Sequence, residues 1–177
     1  MTEMNLAQKL RESNNSVELC DYQFLVDKSL EIVDEVLIPR VAAKMCELLR
    51  DAVPDYTETV SPESICIFLE FLRSKIGLRI GESVVACLLL MKFISKQRAK
   101  SKHALTKKNI GTILVCLIII TLKLCRDRVY KNIFFTKTFG LNIQILNESE
   151  VSFLRMIDYE CNIQKGEYWN IFGYLMN

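Results

Sequence analysis

A single histidine among 177 residues leaves little room for triad or acid–base catalysis. That residue, His103, stands among lysines with no cysteine pair beside it, so a zinc site is not expected there. The seven cysteines, at 20, 46, 66, 87, 116, 125 and 161, are odd in number and include no CxxC. Most fall inside apolar helical patterns, which is how reduced thiols used as small hydrophobes are placed in a cytosolic or nuclear protein. Gly-rich phosphate loops and recognisably paired carboxylates are missing too. The expectation is a protein that is not an enzyme, with no metal, no cofactor and no small-molecule substrate.

Two charged features remain. Residues 92–108 carry six lysines and one arginine with no acid. They read first as a solvated loop between helices, and second as an anion site for phosphate or nucleic acid. Lys123 closes the run GTILVCLIIITL, Gly111 to Leu122. A lysine there either sends its head to water while its stem covers core, or is held out for a partner.

Composition bounds the elements that carry these residues. Half the residues are hydrophobic and a quarter charged, so the chain folds around a core. Gly (6) and Pro (3) are scarce, which favours a few elements of good length over many tight turns. A net charge of +2 makes no general case for nucleic acid or membrane binding. The twelve-residue apolar run is short of the roughly 20 needed to span a bilayer. The polar opening MTEMNLAQKLRESNN does not read as a secretory signal. A soluble intracellular protein is expected, with no membrane partner.

Helical periodicity then runs through the chain. Residues 1–16 read as a lead-in, and 17–177 as a single domain. Apolar residues recur at helical spacing from Val17 to Leu37, Pro39 breaks or restarts the pattern, and a second helix ends before Pro54. Ser61 is a candidate N-cap with Pro62 at the first helical position, and Gly77 ends that helix. A strongly apolar helix follows over 81–96. Thr106 is expected to cap the next one, which holds the apolar run and reaches about Asp127. A buried strand competes for that run, but its length and lack of breakers favour a helix covered on every side, the centre of a bundle. Val129–Thr138 reads as a short helix ended at Gly140. Asn142 can cap 143–158, with Ile145, Leu146, Val151, Phe153, Leu154 and Ile157 mostly inward. A last helix, 165–176, holds Tyr168, Trp169, Phe172 and Leu175, placed to close the core.

In this order the pieces resemble a cyclin box. SPESICIFLEFLRSKIGL is similar to its first helix, ESVVACLLLMKFI to its second, and LTKKNIGTILVCLIIITLKLCRDRVYKNIFF to its third and the turn after it. Lys123, Asp127, Tyr130, Asn132 and Phe135 occupy the places where the family has a lysine, an acid, a tyrosine, an asparagine and a phenylalanine. LNESEVSFLRMIDYECNI, 146–163, looks like the fifth helix, with Glu150 three residues before Phe153-Leu154. The order matches single-box cyclins of the phosphate-signalling (P/U) kind. Leu124 stands where phenylalanine is usual, Arg126 where an acid is, and Phe139-Gly140 where a double glycine is.

The resemblance implies an all-α cyclin-box bundle: five helices around a central apolar helix at about 61–163, with amino-terminal helices over 17–53 and a carboxy-terminal helix over 165–176. It also implies a regulatory subunit that binds and activates a cyclin-dependent kinase by packing against its αC helix. Lys123 and Glu150 would flank the groove and read the partner's main chain. Ile120, Leu124, Leu154, Tyr159 and Cys161 would supply its apolar surface, although Ile120 and Leu154 equally suit the core. Taken alone, Lys123 reads as a solvent-seeking helix-end lysine and Glu150 as a solvated carboxylate. Tyr130 and Asn132 are expected to hold the turn after the central helix. The alternative is a cyclin-fold adaptor in transcription or nucleic-acid complexes, which ranks second.

Overall fold

Apolar residues spaced three and four apart along the chain put helices where their stripes can meet. A computed structural model describes residues 31–53 and 60–176, with side chains from residue 36. The expected lead-in and the helix start at Val17 lie outside the described residues. Among them, every regular element is a helix.

Helix α1, Glu31–Ala52, buries Leu37, Val41, Met45 and Leu49 along one face and Ile38, Ala42 and Cys46 beside them. Pro39 neither breaks nor restarts it. Its ring lies on the exposed side, away from that stripe, so one lost backbone bond is outweighed by continuous packing on both flanks.

Helix α2, Pro62–Ile76, begins as expected: the Ser61 hydroxyl accepts from Ser64 N–H and the Ser64 hydroxyl accepts from Ser61 N–H. It ends at Gly77, whose φ of 60° is a left-handed conformation that a Cβ would strain. The Gly77 N–H donates to Arg73 O at 2.9 Å and the Leu78 N–H to Leu72 O at 3.5 Å.

Helix α3, Ile80–Ala99, extends past the expected 81–96 and is buried on nearly every side from Glu82 to Leu90. It packs on α1 and on three later helices: α4, Ile110–Cys125; α6, Ile143–Met156; and α7, Lys165–Met176. The apolar run is helix α4, not a strand, and is buried throughout from Ile113 to Leu122. Two apolar rods, α3 and α4, therefore share the centre.

Thr106 does not cap α4. Its own N–H donates to the Asn109 side chain at 2.8 Å, closing a turn ahead of a helix that begins at Ile110. The far end comes at Cys125, short of Asp127, because Arg126 turns to an extended conformation. Helix α5, Asn132–Phe139, starts three residues later than its pattern suggested and ends at Gly140 (φ 65°). Asn142 caps α6 as expected, its Oδ1 accepting from Gln144 N–H at 2.8 Å and Ile145 N–H at 3.1 Å. Ile145 and Val151 are exposed rather than inward, since Leu146, Glu150, Phe153 and Ile157 already fill the inner face. In α7, Tyr168, Phe172 and Leu175 close the core as expected, and Arg40 of α1 donates to Leu175 O at 2.7 Å.

The lysine-rich 92–108 stretch is not a loop throughout. Lys92 and Lys96 belong to α3, and Lys100 caps it. These three point across to the chain leaving α6, so half of the six lysines are engaged within the protein and do not form a free basic surface.

Candidate functional site

Lys123 lies in the last turn of α4, where an ammonium is favoured by unsatisfied carbonyls and the helix dipole. It is exposed, while Glu150, in the middle of α6, is buried. The two form an ion pair through Nζ and Oε1. The second carboxylate oxygen, Oε2, accepts from the Asn132 side-chain amide at 2.7 Å, and that amide also donates to Asn147 Oδ1 at 2.8 Å. An inward-facing carboxylate is thus fully partnered, which is the condition for burying a charge at all. Lys123 and Glu150, expected to flank a groove, stand side by side in direct contact. Behind them, burial and then the Glu150 charge push the Cys116 thiol up to about 12.

Leu124, next to Lys123, is exposed, Leu154 sits one turn after Glu150 and is partly buried, and Tyr159 is 60% exposed beyond the end of α6. Cys161 is partly buried, and burial raises its thiol above the usual range. Ile120 is a correction. At 3% exposed it lies on the core side of α4 and offers no surface to a partner. Glu150 is likewise no solvated carboxylate. Phe135 is core, and Phe153 stacks on Phe93 with ring centres 4.6 Å apart. Tyr130, in the turn, is exposed and packs on Phe134 of α5 with ring centres 4.5 Å apart. Asp127 is exposed in that turn. Asn132 opens α5, and its side-chain amide reaches across to α6.

The sequence marked Arg126 only as standing where the family has an acid and gave it no role. Its Nε and Nη2 donate to the two oxygens of buried Glu82 at 2.5 and 2.7 Å, and its guanidinium also reaches Ile76 O at 2.9 Å and Gly77 O at 2.8 Å. This hydrogen bonding to Glu82 raises the guanidinium pKa further. Glu82 in turn accepts from Arg79 N–H at 2.8 Å, capping α3. An acid three residues after the helix boundary was the available signal. The other omission was the row Lys92, Lys96, Lys100, whose spacing of four puts all three on one face of α3.

The described cysteines are free thiols. Among the described residues no group of His, Cys, Asp and Glu could hold a metal ion, and no helix is long and apolar enough to cross a membrane. The model of the Cyclin family matches residues 52–161. No curated protein and no solved structure matches the chain. That matched span contains α2 to α6 entire, with the Lys123–Glu150 pair, and a match over more than half of the sequence settles the assignment. The chain belongs to the cyclin family, a fold of regulators rather than catalysts.

Proposed function

We propose that this protein is the regulatory subunit of a cyclin-dependent kinase, of the single-box phosphate-signalling kind, working in a reducing cytoplasmic or nuclear compartment. The observation that carries the reading is the Lys123–Glu150–Asn132 cluster, with Leu124 exposed next to the lysine and Leu154 partly buried one turn after the glutamate. The exposed Lys123 ammonium has donors beyond the one given to Glu150 and can offer them to carbonyls left over at a helix end, while the buried carboxylate holds it in place. Such contacts read the partner's main chain and fix the position of its helix whatever its side chains.

The αC glutamate of a protein kinase must reach the β3 lysine before ATP is correctly held. Docking on αC favours the arrangement in which it does, so activation is a population shift worth as much as the difference in affinity for the two states. Leu124 and Tyr159 would supply the apolar area of the contact, with Leu154 and Cys161 at its edge.

The test is co-purification of a cyclin-dependent kinase with wild type, Lys123→Glu and Leu124→Glu chains. Kinase capture is expected to be lost in both. Leu124→Glu falls on an exposed side chain and should keep helical content near wild type. Lys123→Glu also strips buried Glu150 of its partner, so its melting temperature is read beside its capture. Capture of the kinase by both variants at wild-type affinity would overturn the reading.

A further inference from the structure

The chain leaves α6 through two consecutive residues at positive φ, Asp158 at 56° and Tyr159 at 58°. Neither is glycine, and a left-handed conformation is unfavourable for a residue with a Cβ, the more so for a bulky ring. Backbone bonds close the turn: Tyr159 N–H donates to Leu154 O at 2.8 Å, Glu160 N–H to Ile157 O at 2.9 Å, and Cys161 N–H to Tyr159 O at 2.9 Å. Such a conformation persists where its surroundings over-determine it.

The surroundings are the lysine row of α3. Lys92 donates to Glu160 O at 3.1 Å and Asn162 O at 2.7 Å. Lys96 pairs with Asp158 at 3.1 Å and Glu160 at 2.9 Å. Lys100 donates to Met156 O at 2.8 Å, a carbonyl left over at the end of α6, and pairs with Asp158 at 2.6 Å. Three ammonium groups on one helical face thus grip both the backbone and the acids of a single turn. The ring this turn carries, Tyr159, is left outward.

We propose that Lys92, Lys96 and Lys100 are positioning residues for docking: they lock the Asp158–Tyr159 turn so that the Tyr159 ring stands ready for a partner. Rigid aromatic rings held ready at a surface make strong anchors, because little freedom is lost on contact. The inference rests on the kinase-subunit reading for what docks, but the locking of the turn is independent of it.

The experiment uses the full chain with Lys92, Lys96 and Lys100 changed together to Gln, and separately to Arg. Amide exchange is read at residues 159–161, with Phe153 as the internal control. Affinity is measured for the purified kinase subunit that co-purifies with wild type. In the Gln variant, exchange at 159–161 is expected to rise about tenfold or more with Phe153 unchanged, as for a local opening. Kinase affinity should fall by about tenfold, and adding Tyr159→Ala should cause no further loss, since contacts acting as a unit are not additive. The Arg variant should restore most of both.

Unchanged exchange at 159–161 in the Gln variant would overturn the inference. So would raised exchange with wild-type kinase affinity in a system where Lys123→Glu still abolishes binding, and so would a further loss on adding Tyr159→Ala equal to its loss in wild type. If Lys123→Glu and Leu124→Glu also bind normally, the kinase-subunit reading falls, and the docking role of the turn falls with it.

Discussion

Asn132 donates its side-chain amide to Oε2 of Glu150 at 2.7 Å, joining the first residue of α5 to the middle of α6. Since Lys123 takes the other oxygen, the carboxylate has one orientation available to it. Asn132→Ala should free the carboxylate to turn and, under the kinase-subunit proposal, should weaken kinase binding by about tenfold, on the scale of one lost charge-assisted hydrogen bond. Titration of the kinase subunit against both chains measures it, and Asn132→Asp, which adds a like charge, should bind more weakly still.

Removing Arg126 leaves the buried Glu82 carboxylate without its ion-pair partner and uncovers the carbonyls of Ile76 and Gly77. Breaking a buried pair from one side costs about 3 kcal/mol or more. Arg126→Gln should therefore shift the urea midpoint well below wild type with little change in slope, as expected when stability rather than the exposed area changes.

Phe153 is fully buried and stacked on Phe93. Phe153→Ala should cost about 4 kcal/mol, and Phe153→Leu much less, because the leucine refills most of the space. Thermal unfolding of the two variants ranks them.

The Lys100 and Lys96 ammonium groups hold the Asp158 carboxyl below its ordinary value of 3.8. A depressed carboxyl contributes its stability above its unfolded value and loses it as pH falls through the lower folded one. The grip on the turn should therefore be complete at neutral pH and should loosen below pH 3.8. A carbon-detected titration of Asp158 should show a midpoint under that value, moving back up in Lys100→Gln.

Burial pushes the thiols of Cys87 and Cys116 up to about 12. Since the thiolate is the reactive form, neither should label with a disulfide reagent at pH 8 until the chain unfolds. Mass spectrometry of peptides labelled with and without denaturant checks this.

Patterns of local origin were legible in the sequence. The Ser61 cap, the Gly77 and Gly140 ends, the Asn142 cap and the last helix at 165–176 depend on residues within a turn or two of one another. The central apolar run was also legible, because a helix greasy on all sides has few places to go. Contacts between distant segments were not. Nothing near Lys92 says that its ammonium will meet carbonyls at 160 and 162, and a row of lysines without acids reads as solvated until α6 is laid beside it. Ile120 stayed open between groove and core for the same reason: the turn of α4 that carries it faces inward, which follows from packing and not from its distance to Lys123. Pro39 shows the reverse case, where a strong local signal for a break yields to burial on both flanks.

Glu82 serves two helices at once, since one carboxylate both starts α3 and anchors the residue that stops α4. Fraying at either end must then disturb the other, and through the Arg126 bonds to Ile76 and Gly77 the close of α2 as well. Three helix termini wired to one group have no independent melting points. The chain should unfold without a separate early transition for the Ser61–Arg126 helices, in a single calorimetric peak whose van't Hoff enthalpy equals the heat absorbed.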